Sequence, residues 1–301
     1  MRKRSYVALA LAAVLTAGAV LTGCGSSSST TASTAAGTAA SAASAASSSG
    51  SASGGTLRVA MSADYAPFDW LQSDDSNGAV MTVNGTYMNG YDVLIAQRVA
   101  DELGMDLEIT QIDWDGLIQA VNAGQCDCVI AGMSITSERS QSVDFTKPYY
   151  NADIVMVVAS DGSYADAQSL TDLKGGTFTS AVNTVWYDVL DQITDYATKG
   201  VALDTFASMV SAVRAGTIDG FTCDMPSAKS LLKTNPDLTI LDFSGGTGFE
   251  VSNEETDLGI ACRKGDTELV DKINGVLDGL SQDDRDALMD QAVAAEPASQ
   301  E

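Results

Sequence analysis

Apolar residues recur in this chain with helical spacing at two related places. Trp114, Leu117, Ile118 and Val121 stand at i, i+3, i+4 and i+7, and so do Phe206, Met209, Val210 and Val213, with Thr205 placed to cap the second helix. Each pattern runs into a glycine, Gly124 or Gly216, suited to the left-handed position after a helix end. Each is followed by a short apolar strand, over 128–131 or 220–223. The segments Ala120–Asp127 and Ala212–Asp219 both read A-V-x-A-G-x-x-D. The same helix–glycine–strand unit thus occurs twice, which predicts two α/β halves of related construction.

Other stretches fit the same plan. Strands are expected over 57–61, 107–112, 238–241 and 258–261. A helix is expected over 93–103, where Ile95, Val99 and Leu103 form the stripe. Another is expected from Leu269 to Leu280. The unbroken apolar run Ile154–Ala159 reads as a buried parallel strand. Strands alternating with helices predict an α/β fold with parallel sheets. Folded structure is expected from about Thr56 to Ala295, followed by a polar tail.

The N-terminal residues follow a different pattern. Arg2, Lys3 and Arg4 precede the apolar run Val7–Leu21, the layout of a secretory signal over 1–23. Leu21-Thr22-Gly23-Cys24 resembles a bacterial lipobox, which marks Cys24 for lipidation. Residues 25–55 are only Gly, Ser, Thr and Ala. Such a stretch has nothing large to bury, and 24–55 reads as a flexible tether with an end-to-end reach of roughly 30 Å.

Charge narrows the partners. All 40 acidic residues follow the leader, which carries three of the 16 basic ones, so the exported part has a net charge of −27. Such a surface repels nucleic acid and anionic headgroups. The chain has no histidine, which removes the commonest general base and the commonest zinc ligand. Cys126 and Cys128, two apart in a strand-like run, are expected on one sheet face, where they are badly placed to bridge each other. No third or fourth ligand stands at zinc spacing from them. Buried free thiols, or a disulfide from Cys262 to Cys126 or Cys128, are the two readings. No metal or cofactor is expected.

Six segments then resemble one family. Gly90-Tyr91-Asp92-Val93 is similar to its G-F/Y-D-V. Asp113-Trp114-Asp115-Gly116-Leu117-Ile118 is similar to D-W-D-G-L-I-P, with Gln119 in place of the proline. Ala131–Arg139 resembles A-G-M-T-I-T-P-E-R, Asp144–Tyr150 resembles D-F-S-D-P-Y-Y, Leu170–Gly175 resembles S-L-E-D-L-K-G, and Gly259–Asp266 resembles G-I-A-V-R-K-G-D. These are motifs of the periplasmic-type solute-binding proteins for polar amino acids, in family order over 57–280. The resemblance implies the two-lobe, type II periplasmic-binding-protein-like α/β fold with a two-strand hinge. Lobe 1 would be 56–150 with 249–301, and lobe 2 would be 151–248.

The resemblance also implies a site. Arg139 matches the arginine that grips the ligand α-carboxylate, and its planar fork suits that anion. Asp224 matches the acid that receives the α-ammonium, although a helix N-cap is an equally natural use for it. Gly132 would offer its carbonyl and Ser134 its hydroxyl. Val182-Asn183-Thr184 stands where the family has G-S/T-T; Thr184 fits, while Asn183 and Val182 depart from it. Tyr65 and Trp114 match aromatic positions around the ligand, with Trp70 and Trp186 as weaker candidates. Ser62 stands where members binding cationic amino acids often carry an acid, and Asp64 and Asp69 are the nearby substitutes. The segment 72–89 is longer than the usual family loop, and reads either as a lid over the cleft mouth or as a solvated insertion.

The expected function is therefore an extracytoplasmic receptor of an amino-acid ABC importer. It would be lipid-anchored on the outer face of the cytoplasmic membrane, monomeric and not an enzyme. Its partners would be a free L-amino acid, small polar or cationic before large apolar, and the transmembrane permease. The rivals are a cleft enzyme resembling the cyclohexadienyl dehydratases, which would need a placed general acid, and a sensor acting through a partner protein.

Overall fold

The computed structural model describes residues 54–243 and 246–296. The leader, Cys24 and nearly all of the tether lie outside the described residues.

Two five-stranded sheets form the framework. The first runs Asp106–Gln111, Thr56–Met61, Cys128–Val129, Asp257–Arg263, Val143–Asn151. The second runs Thr198–Lys199, Thr177–Thr179, Gly220–Asp224, Ile154–Ala159, Leu238–Leu241. In both, three parallel strands are followed by one of opposite direction, and the last strand is antiparallel to that one. Ile154–Ala159 is therefore antiparallel to both its neighbours, not parallel as expected. Its apolar run reports burial on both faces, which strand direction does not alter.

The repeated segment occupies the same place in each sheet. Helix Leu117–Asn122 and helix Phe206–Arg214 each lead to the third parallel strand, with Gly124 and Gly216 at φ 74° and 67°. The two aspartates that close the repeat do identical work. Asp127 N–H donates to Arg58 O at 2.8 Å while its carboxylate accepts from Arg58 N–H at 2.9 Å. Asp219 does the same with Thr177, at 2.7 and 2.8 Å. Each repeat thus fastens its strand to the middle one of the three parallel strands.

Helices cover both faces of each sheet, so four apolar clusters form. Leu57, Val59 and Met61 alternate with Ala60 across the opening strand, the period of two that a doubly covered strand requires. Tyr91–Leu103 and Thr267–Asp278 pack on the first face, together with a helix the apolar pattern did not reveal, Gln282–Ala295. That helix buries little beyond Met289 and Ala292, and Ser281 with Asp284 forms its capping box.

Cys126 and Cys128 belong to opposite faces of the first sheet, because Cys126 lies in the loop before the strand begins and alternation does not apply to it. Cys128 and Cys262 are cross-strand neighbours, and Cys126, Cys128, Cys223 and Cys262 are all buried free thiols.

The chain passes from the first sheet to the second at 152–153 and returns through 242–256, and Ala152 N–H donates to Thr256 O at 2.8 Å between the two passages. A small sheet of Asp64–Tyr65, Asp69–Gln72, Tyr87–Asn89 and Val80–Met81 folds the 72–89 segment back. Val83 N–H donates to Ile109 O and Asn77 Nδ2 donates to Ala295 O, so this segment lies along the edge of the first sheet and beside the C-terminal helix.

Candidate functional site

A cavity of about 430 Å³ opens between the two sheets, within the range small-molecule sites occupy. From the first side come Ser62, Asp64, Tyr65, Asp113, Trp114, Asp115, Gly132, Ser134 and Arg139. The opposing side supplies Ala181, Val182, Thr184, Val185, Trp186 and the segment Asp204–Phe206 with Met209. None of its lining comes from 72–89, so the lid reading of that segment does not hold for this structure.

Arg139 opens a 3-10 turn, Arg139–Gln141, whose entry is fixed by Arg139 N–H donating to Thr136 Oγ1 at 3.1 Å. Its fork donates to two carbonyls, Ser134 O on its own side and Asn183 O across the cleft, both at 3.0 Å. The guanidinium lies 5.2 Å from the Trp114 ring centroid. Burial lowers its pKa to about 10, so it stays cationic at neutral pH. Among the described residues no carboxylate pairs with it. Its hydrogen bonds to two carbonyls leave the planar fork its positive charge, which suits an anion.

Asp224 ends the central strand of the second sheet and caps helix Met225–Thr234, with Ser227 N–H donating to Oδ1 at 2.8 Å. Its other oxygen accepts from Tyr65 Oη at 2.5 Å, a bond that spans the cleft. The carboxylate is fully buried, and burial raises its pKa. Asp224 therefore sits behind Tyr65 and does not line the cavity. The same burial, followed by the Asp224 charge, pushes the Tyr65 phenol far above its ordinary range.

Tyr65 is held between two rings, Phe68 at 4.8 Å and Phe206 of the opposite side at 5.9 Å, both stacked. It also lies against Gly132, whose N–H donates to the buried Tyr149 hydroxyl at 2.9 Å. Gly132 has φ 58°, and a Cβ there would stand 2.3 Å from Tyr65 Cε1. Gly132→Ala is expected to expel the ring and to cost about 1–3 kcal/mol, a loss of several degrees in Tm on a thermal melt.

Of the residues the sequence pointed to, Tyr65, Trp114, Gly132, Ser134, Arg139 and Thr184 meet at the cavity. Ser134 Oγ donates to Glu255 O, and Thr184 Oγ1 donates to Ala181 O while capping the turn that follows. Asn183, at φ 58°, stands beside the cavity; its carbonyl accepts from Arg139 and from Trp114 Nε1, and its side chain donates to Asp115 Oδ1 at 2.7 Å. Trp186 lines the cavity, whereas Trp70 is buried in the core. Asp204, Phe206 and Met209 were not foreseen. They arrive through the loop and first turns of helix Phe206–Arg214, whose stripe reads as core alone.

Acid dominates the walls. Asp64, Asp113, Asp115 and Asp204 all face the cavity. The Asp64 carboxyl is raised first by burial and then by repulsion from Asp113. Two carboxylates that repel one another on one wall favour a cation beside them.

Residues 57–292 match the model of the bacterial extracellular solute-binding proteins, family 3. The arginine-binding extracellular protein ArtP of Bacillus subtilis is 31% identical over 225 residues, covering 73% of this chain and 79% of that protein. Among solved structures, the amino-acid ABC transporter substrate-binding protein AbpA of Streptococcus pneumoniae, bound to L-arginine, superposes with a TM-score of 0.67 at 26% identity, covering 80% of this chain and 95% of that one. The ancestral amino-acid-binding protein AncCDT-1, a precursor of cyclohexadienyl dehydratase, does so with a TM-score of 0.64 at 29% identity, covering 79% and 95%.

Proposed function

Because the chain belongs to family 3 of the bacterial extracellular solute-binding proteins, we propose that it is the exported receptor of an amino-acid ABC importer and that its ligand carries a cationic side chain. One observation carries the reading: Arg139, which forms no ion pair among the described residues, lines a cavity that Asp64, Asp113, Asp115 and Asp204 also line. An α-amino acid needs both its charged groups met once water is excluded. Arg139 takes the carboxylate. Asp224 takes the ammonium once the Tyr65 hydroxyl gives way. Asp64 and Asp113 draw the side-chain cation toward them.

The two sheets and their helices act as lobes, 56–150 with 249–301 and 151–248, that close on the ligand. Trp114, Arg139 and Tyr65 already reach across to Asn183 and Asp224. A ligand shifts the opening equilibrium only by its differential affinity for the closed form. Lipidation at Cys24 would tether a monomer to the membrane and present the closed form to the permease.

A thermal-shift screen of the mature protein against the proteinogenic amino acids, ornithine and citrulline tests this. At a hundredfold excess over Kd a ligand stabilises the fold by about 2.7 kcal/mol, a shift of several degrees. Arginine, lysine or ornithine should give the largest shift. Asp224→Asn, which can keep the oxygen that accepts from Ser227 N–H but turns an amide donor toward the Tyr65 hydroxyl and loses the charge, should weaken the best ligand by about ten- to a hundredfold in a calorimetric titration. A protein that responds to no amino acid would move the reading toward a dehydratase-like cleft enzyme, with Asp64 as the proton donor to examine.

A further inference from the structure

Cys128 and Cys262 stand directly opposite one another on the antiparallel strands Cys128–Val129 and Asp257–Arg263. Both are 0% exposed and belong to one apolar cluster, while their strand neighbours Val129 and Ala261 belong to the cluster on the other face. The two side chains therefore leave the sheet on the same side. Directly opposed residues of an antiparallel pair have Cα atoms about 4.5 or 5.5 Å apart, and a disulfide takes Cα separations of about 4.4–6.8 Å. Backbone pairing thus brings the two cysteines within bridging reach. Among the described residues the other two have no such partner: Cys126 packs on the opposite face, and Cys223 lies in the second sheet.

Their place in the chain gives a bridge a task. Cys128 precedes the passage to the second sheet and Cys262 follows the return, so the first sheet is assembled from two chain segments with the whole second sheet between them. We propose that in the exported protein Cys128 and Cys262 are oxidised to a cross-strand disulfide that staples these two segments. This rests on export, because disulfides persist outside the reducing cytoplasm. Burial raises the Cys128 thiol well above its ordinary range and the Cys262 thiol to about 12, so neither is a thiolate once the sheet has closed. The bond therefore forms while the strands are still assembling. The thiolate of one cysteine attacks a low-molecular-weight disulfide and expels one half of it. The second cysteine attacks the resulting mixed disulfide and expels the other half. One S–S bond forms and one breaks, two electrons pass to the incoming disulfide, and the two cysteine protons end on the released thiols.

Protein recovered from the outer face of cells making the full chain provides the test. It is denatured in iodoacetamide without reductant, digested and mapped by mass spectrometry. Cys126 and Cys223 should carry the label, and Cys128 and Cys262 should appear in one linked pair that dithiothreitol separates. After reduction in denaturant and refolding with dithiothreitol, Tm should fall by several degrees relative to the oxidised protein, because the bridge closes a long loop. The double variant Cys128→Ala with Cys262→Ala should show no such dependence on reductant. Labelling of all four cysteines, a link through Cys126 or Cys223, a wild-type Tm that ignores reduction, or an equal fall in the double variant overturns the staple.

Discussion

Replacing Arg139 with alanine is expected to weaken binding of the amino acid severely, raising Kd by on the order of a hundredfold or more. Truncating one partner of a closed, hydrogen-bonded charge pair costs about 2–5 kcal/mol, because the other charge stays buried and unpaired. Among the described residues no other cation lines the cavity, so none of them can take over the α-carboxylate. Lysine at 139 should recover little, since a point charge cannot reproduce a planar fork that also bonds Ser134 O and Asn183 O. The fold should survive, as Arg139 is only half-buried and forms no ion pair among the described residues. Titration calorimetry with circular dichroism on the same samples checks both halves of the expectation.

The second large effect is on stability. Burial, then repulsion from Asp64, raises the Asp69 carboxyl to about 7, and burial with repulsion from Asp69 raises Asp92 well above its ordinary range. Asp92 Oδ2 has no hydrogen-bond partner, while Oδ1 accepts from the Tyr149 hydroxyl at 2.7 Å. A carboxyl with a raised folded pKa binds its proton more tightly in the folded chain than in the unfolded one. Its contribution is therefore fully present below the unfolded pKa near 4 and is lost as pH rises through about 7. For Asp69 that loss is on the order of 4 kcal/mol. Asp69→Asn should thus raise Tm by several degrees at pH 8 and by almost nothing at pH 4. The difference between variant and wild type isolates this site from the general repulsion among the other acids.

Part of this was legible in the chain and part was not, for physical reasons. The repeated A-V-x-A-G-x-x-D marked both sheets because it combines a helix stripe, a left-handed glycine and an aspartate with one fixed backbone task. One wall of the site was legible because Gly132, Ser134 and Arg139 are close in sequence as well as in space. The other wall was not, because Asp204, Phe206 and Met209 arrive there by folding and sit on a stripe that looks like ordinary core. The N-cap of Asp224 was legible from its place at a strand end, but its cover was not: that position does not tell that Tyr65 would stack between Phe68 and Phe206 and bond to it. Asp69 lies between Phe68 and Trp70, where alternation suggests a polar residue facing water. Only the winding of 62–69 turns it inward. Helix Gln282–Ala295 escaped because most of its surface is polar, although Ser281 and Asp284 spell its cap.

The most direct measurement removes the ligand's groups as well as the protein's. Wild type and Arg139→Ala should each be titrated with L-arginine and with agmatine, which lacks the α-carboxylate. If Arg139 holds that carboxylate, wild type should prefer arginine by about a hundredfold or more, and the variant should bind the two alike, because the coupling between the two deletions is the pair itself. A wild type that binds agmatine as tightly as arginine, or a variant that still discriminates between them, would contradict the account.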